Sequence, residues 1–337
     1  MKAIVTSFLV AGAGVVVFHF LRLPLPWLLG PIVACLVAAL AGLPMQGIKP
    51  LNDAMRTILG VAVGATFTSA ILISMIGMWS TLALIPLMIA CIGLIGVPYF
   101  KKLWGLDAPT AYYSAMPGGL QDMLLFGEEA GGNVRALSLI HATRVMVIVV
   151  SLPFILGWFW DVNLDNPPGA PAASIHPAQL ALMVFCGLGG WWAAKRVGMF
   201  GASILGPLLF AAFFALIGVL QHRPPAEAVW AAQFFIGMGV GTKYAGVTML
   251  EVRNYVAAAL GFCLILIALT FVFAEFVFLM GLAPSLETIL SFAPGGQAEM
   301  TVLALVVGAD MAFVVAHHVL RIFTVILGAP LFARLYN

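Results

Sequence analysis

The 337-residue chain is 63% hydrophobic and only 8% charged, where a soluble domain carries about 25% charged residues; no stretch is polar enough for a soluble domain, and a polytopic membrane protein is indicated. Its 15 Lys and Arg against 13 Asp and Glu leave a formal charge of +2, too small and too dispersed for a nucleic-acid footprint. The four cysteines, Cys35, Cys91, Cys186 and Cys263, lie singly in apolar runs without a CxxC or Cys/His cluster, and read as small buried side chains.

Apolar stretches of about 17 to 25 residues mark helices that can cross a bilayer. In the first half they fall near 3–21, 26–45, 55–72, 75–100 and 134–160. The first, one Lys followed by an apolar run, imitates a secretory signal. A related segment, "LALMVFCGLGGWWAAKRVG", recurs in the second half, so a retained helix is expected. Between the fourth and fifth spans, Ala108 to Gly132 is too polar and too broken for an ordinary crossing. Its Pro-Gly-Gly turn frees backbone groups, which membrane depth tolerates only where protein or a water-filled cavity surrounds them. A re-entrant hairpin or broken helix is predicted there. The longest polar connection, Asp161 to Gln179, follows the fifth span.

Beyond that loop the series starts again. "LLGPIVACLVAALAG" at Leu28 matches "ILGPLLFAAFFALIG" at Ile204, and "ILGVAVGATFT" matches "FIGMGVGTKYA" with Gly60 over Gly237 and Gly64 over Gly241. "SAMPGGLQDM" and "SFAPGGQAEM" then align Pro117 with Pro294, Gly118 with Gly295, Gly119 with Gly296 and Asp122 with Glu299, all at a spacing of 177. Asn133 lies over Asp310, His141 over His318 and Arg144 over Arg321 at the same spacing. The chain is a tandem duplication, read as a first membrane repeat over 1–160, an external loop over 161–177 and a second repeat over 178–337.

Cytoplasmic loops are enriched in Lys and Arg. With the N-terminus inside and five spans plus one re-entrant segment per half, Lys2, Lys49, Arg56, Lys101, Lys102, Lys195, Arg196, Arg253 and Arg334 fall on the cytoplasmic side, and only Arg22 and Arg223 outside. The C-terminus is then cytoplasmic too. An odd number of spans turns the second copy upside down. The predicted fold is therefore all-α and polytopic, built of two inverted-topology repeats. Such repeats are a signature of secondary transporters, whose sites lie near the midplane at discontinuous helices, so the two Pro-Gly-Gly breaks are expected to meet at a common cavity.

Ionisable residues inside membrane segments are costly and usually functional. On "GADMAFVVAHHVLRIF", at roughly 100° per residue, Asp310, His317 and Arg321 share one predicted helix face with His318 on its flank. The equivalent span carries Asn133, Arg135, His141 and Arg144. Asp122, Glu299 and Asp310 are candidates for proton or cation handling, and His141 and His318 for a titratable relay. Arg144 and Arg321 either bind a solute anion through bidentate hydrogen bonds or neutralise Asp122 and Glu299 as ion pairs. Pro117, Gly118, Gly119, Gln121, Pro294, Gly295, Gly296 and Gln297 complete the candidate set. Lys243, after the glycines of a short span, either reaches the cavity or snorkels. The adjacent His317 and His318 point about 100° apart on a helix and do not share a metal readily; neither metal nor organic cofactor is expected.

The paired "PGG" turns with their acidic residue, the later His and Arg, and the "LLGP" and "ILGP" segments resemble the membrane AbrB duplication family, bacterial integral membrane proteins, over essentially the whole chain. Members carry conflicting labels: ammonia monooxygenase, AbrB-family regulator of gene expression, or transporter. The resemblance implies a multi-pass protein of the bacterial inner membrane. The expected function is secondary transport of a small polar or anionic solute coupled to H+ or Na+, not enzymatic. A membrane-embedded ligand sensor is the first alternative and a membrane metalloenzyme the second. The expected partners are the solute, the bilayer and, given small-residue-rich spans, a second copy of the chain; nucleic acid is not among them.

Overall fold

A computed structural model describes residues 2–67, 77–162, 164, 167–199 and 201–333. The junction of the third and fourth predicted spans, 68–76, and Arg334 lie outside these residues. In chain order the helices are α1 (Lys2–Phe20), α2 (Pro26–Leu40), α3 (Lys49–Gly64), α4 (Trp79–Leu103), α5 (Ala108–Ala115), α6 (Leu120–Glu129) and α7 (Val134–Trp160). They are followed by α8 (Pro177–Arg196), α9 (Ala202–Leu216), α10 (Ala226–Gly241), α11 (Met249–Leu279), α12 (Ser285–Phe292), α13 (Gln297–Val307) and α14 (Met311–Ala333). The described residues contain no β-strand.

Six of these helices, α1, α4, α7, α8, α11 and α14, are long and apolar enough to cross a membrane. They leave large side chains such as Leu9, Val16, Phe185, Leu264 and Leu327 exposed, a surface that lipid rather than water accommodates. The protein is a multi-pass membrane protein. The expected count of five long spans per half is reduced because α2 and α9 have 15 residues and α3 and α10 have 16. At 1.5 Å per residue such helices reach about 22 to 24 Å, short of the roughly 30 Å hydrocarbon core. The apolar run of α2 continues to residue 45, but the helix ends where Gly42 takes φ 84°; Gly218, at φ 76°, closes α9 in the same way. Glycine adopts this left-handed conformation without steric cost.

The chain packs into two compact units, and neither coincides with a sequence half. The first comprises Met1–Gly77, Pro153–Gly246 and Ala298–Ala312; the second comprises Met78–Leu152, Val247–Gln297 and Phe313–Asn337. Within the first unit, glycines let helices approach backbone to backbone. A Cβ added to Gly14 or Gly30 would strike the facing backbone of the α1/α2 pair, and one added to Gly190 or Gly206 would do the same between α8 and α9. Gly60 and Gly64 of α3 lie against the carbonyls of Ile204 and Leu208 in α9, while Gly237 and Gly241 of α10 lie against those of Leu28 and Ile32 in α2. Each third helix thus packs on the second helix of the other sequence half. Small residues perform this role where helix association cannot draw on the hydrophobic effect.

In the second unit, α5 packs on α4 and α12 on α11. Tyr112 donates its hydroxyl to the Ala329 carbonyl at 2.9 Å, and Tyr99 donates to that of Ala258 at 2.9 Å. α5 starts at a side-chain cap, with Asp107 Oδ1 accepting from the Thr110 amide at 2.9 Å and Pro109 in the first turn. It stops because the residue before a proline is driven out of the helical region: Met116 sits at φ −67°, ψ 128°, and Ala293, ahead of Pro294, at φ −63°, ψ 124°.

Candidate functional site: two clamped helix breaks

A proline cannot donate to the carbonyl four residues earlier. Pro117 therefore leaves the carbonyl of Tyr113 without its helical donor, and Pro294 does the same to Leu290. Both positions are filled from a distant helix. His141 Nε2 of α7 lies 3.0 Å from the Tyr113 oxygen, and His318 Nε2 of α14 lies 2.9 Å from that of Leu290. A carbonyl only accepts, so the proton sits on Nε2 in both histidines.

Three residues further along each long helix, an arginine completes the clamp. Arg144 donates Nη1 to Met116 O at 3.0 Å and Nη2 to Gly118 O at 2.9 Å. Arg321 donates Nη1 to Ala293 O at 2.8 Å and Nη2 to Gly295 O at 2.9 Å. Each guanidinium straddles one proline, taking the carbonyls on either side of it. The planar fork of arginine suits this two-point contact, and its charge opposes the partial negative charge at the C-terminal ends of α5 and α12. All four side chains are buried, and all of these bonds lie within the second unit.

The expected alternatives for the arginines were a solute anion and an ion pair with Asp122 or Glu299. Neither arginine forms an ion pair among the described residues; both terminal nitrogens go to backbone oxygen. The ion pair that does form joins Arg135 Nε to Glu251 Oε1 at 2.7 Å and lies near the start of α7. Likewise, the Nε2 proton of each histidine is held by a carbonyl, which leaves only Nδ1 for any relay.

Past the breaks, Gly119 and Gln297 lead into α6 and α13, which carry Asp122 and Glu299 in their first turns. A Cβ at Gly118 would lie 2.7 Å from Met123 Cε and 2.9 Å from Val325 Cγ1, so these side chains would have to shift to admit one. Pro117, Pro294 and Gly295 are buried, Gly119, Gly296 and Gln297 half-buried. The Gln121 side chain lies outside the described residues. Asp122 is half-buried and belongs to the second unit; Glu299 is buried and belongs to the first. Asp310 does not share the α14 face with His317 and Arg321, because the helix begins one residue later. It holds the position equivalent to Asn133, whose Oδ1 accepts from the Ala136 amide at 3.0 Å as an N-cap.

His317 stands apart from the clamps. Its Nδ1 is 2.8 Å from Phe313 O and its Nε2 is 3.0 Å from Thr81 Oγ1. The first sequence half has Ile140 at the equivalent position. The sequence reading missed the acceptors themselves, Tyr113 and Leu290. The signal available was the position four residues before each proline, combined with a buried His and Arg on another span.

Residues 27–337 match the family described as Transition state regulatory protein AbrB. The chain belongs to the AbrB family. YhjN of Bacillus subtilis (strain 168), described as an uncharacterized protein, is 27% identical over 357 aligned positions, covering 97% of this chain and 91% of its own length. A protein of Escherichia coli (strain K12) named Putative regulator AbrB is 23% identical over 325 positions, covering 94% of this chain and 91% of its own. The stretch that matches the family takes in the two breaks and both clamps.

Proposed function

We propose that this AbrB-family protein is a secondary transporter of the bacterial inner membrane that moves a small polar or anionic solute, coupled to H+ or Na+, with both termini cytoplasmic and no catalysed reaction. The observation that carries this reading is the duplicated clamp: two interrupted helices, 177 positions apart, held by the same His and Arg contacts. An interruption at membrane depth is expensive in backbone hydrogen bonds, and maintaining two of them implies a use. The helices that follow, α6 and α13, start with first-turn amides that lack intrahelical acceptors. Such ends favour anions, and each carries one carboxylate suited to a proton or a cation. Clamps and glycines would fix the geometry, while Asp122 and Glu299 would each hold a proton or a cation within its own unit. Inverted repeats moving relative to their surroundings would provide alternating access, and a homodimer is part of the same reading.

The test is flux. Protein reconstituted in liposomes should take up one or more labelled carboxylates, amino acids or amines, and an imposed pH or Na+ gradient should drive that uptake. Asp122→Asn or Glu299→Gln should abolish the gradient dependence. Uptake and ion dependence that are unchanged in both variants would overturn the assignment. The name of the Escherichia coli relative favours a second reading, a ligand sensor; its signature would be saturable binding without flux.

A further inference from the structure

Four polar side chains of the first unit have none of the partners that the clamps possess. Asn52 and Arg56 lie one turn apart on α3, Lys243 follows α10, and Glu299 opens α13. Among the described residues none of the four makes a side-chain hydrogen bond or an ion pair. Asn52 Oδ1 and Arg56 Nε are sealed from solvent without a partner, although more than about 90% of buried polar groups in native proteins are satisfied. Glu299 is only 4% exposed.

The packing brings these elements together. A Cβ added to Gly239 of α10 would collide with Asn52 Nδ2, and one added to Gly47 would lie 3.0 Å from Thr242 Oγ1, beside Lys243. Lys243 feels the charges of both Arg56 and Glu299. Lys243 itself keeps a large accessible surface. The equivalents of Asn52, Arg56 and Lys243 in the other half are Val229, Gln233 and Thr66, so this cationic set occurs once in the chain.

We propose that Asn52, Arg56, Lys243 and Glu299 line a binding site for a small monocarboxylate with a hydroxyl or amino group next to the carboxyl carbon. Two cations and one carboxylate leave one positive charge for the ligand carboxylate to neutralise. The ligand carboxylate accepts from Arg56 and Lys243, and its neighbouring O–H or N–H donates to Asn52 Oδ1. Glu299 competes with the ligand for Lys243. The proposal deepens the transport reading, on which it rests through Glu299, by naming the class of solute and two cationic contacts outside the breaks.

The test works with simple acids and does not require the natural solute. The full chain in lipid nanodiscs, with its six lysines 13C-methylated and the Lys243 signal assigned through Lys243→Arg, is titrated with acetate, L-lactate, glycine and chloride at constant ionic strength. The Lys243 signal should shift saturably with lactate or glycine, less with acetate and not with chloride. Arg56→Gln should weaken that binding roughly tenfold, the loss of one charge-assisted hydrogen bond, with the other five lysine signals reporting an intact fold. Glu299→Gln should tighten it, because the competing anion is gone. A Lys243 signal unmoved by all three organic acids, an equal response to chloride, or weaker binding in Glu299→Gln would overturn the proposal. Saturable lactate or glycine binding without flux in liposomes would instead leave this site in place and remove the transport reading.

Discussion

The second unit buries two arginines and two histidines that each donate to backbone carbonyls, although the Nε of both arginines stays unpaired, whereas the first holds an arginine, a lysine, a glutamate and an asparagine that make no side-chain hydrogen bond or ion pair among the described residues. Both sets are polar groups in an apolar protein, yet the physics separates them. A buried donor bound to an otherwise orphaned carbonyl stabilises the fold, because removing it exposes the desolvation penalty of its partner. A side chain that seals polar atoms from solvent and makes no hydrogen bond at all only destabilises the fold, and its retention points to a ligand. The charged residues that look most functional in the sequence are therefore divided between scaffold and site.

The largest expected effect on stability comes from the arginines. Arg144→Met or Arg321→Met strands two carbonyls at a break and should cost about 2 to 6 kcal/mol, at 1 to 3 for each unsatisfied group. Thermal unfolding in detergent should show similar losses for the two variants. A loss confined to one of them would break the equivalence of the clamps. His141→Ala and His318→Ala strand one carbonyl each and should cost about 1 to 3 kcal/mol, measured the same way.

Much of the fold was legible in the sequence because its punctuation is local. The duplicated Pro-Gly-Gly turns marked both break positions, and the ends of α5 and α12 follow from Pro117 and Pro294 alone. Span lengths were less legible: the apolar run through Gly42 does not reveal that the backbone turns left-handed there. The clamps were half legible. His141, Arg144, His318 and Arg321 stood out as buried charges, but their partners are backbone carbonyls, which leave no mark in composition. Charge patterning accordingly pointed towards Asp122 and Glu299. Arg56 was hidden for a different reason, since an arginine at the start of the expected 55–72 span reads equally well as a cytoplasmic charge, whereas α3 begins seven residues before it, at Lys49.

The smallest expected effect sharpens the contrast. Asn52→Leu removes a buried acceptor that has no protein partner, so stability should stay within about 0.5 kcal/mol of the parent or rise, while lactate or glycine binding falls. A clear loss of stability would show that Asn52 has a partner within the fold.

The most direct test of this division is to measure unfolding temperature and lactate or glycine binding side by side in Arg321→Lys and Lys243→Gln. A lysine ammonium cannot span the two carbonyls that the guanidinium fork bridges. Arg321→Lys should therefore unfold at a clearly lower temperature, and Lys243→Gln should unfold with the parent protein but lose carboxylate binding. If Arg321→Lys is as stable as the parent, or if Lys243→Gln loses stability while binding persists, the assignment of clamp to scaffold and of the unpaired cluster to ligand is wrong.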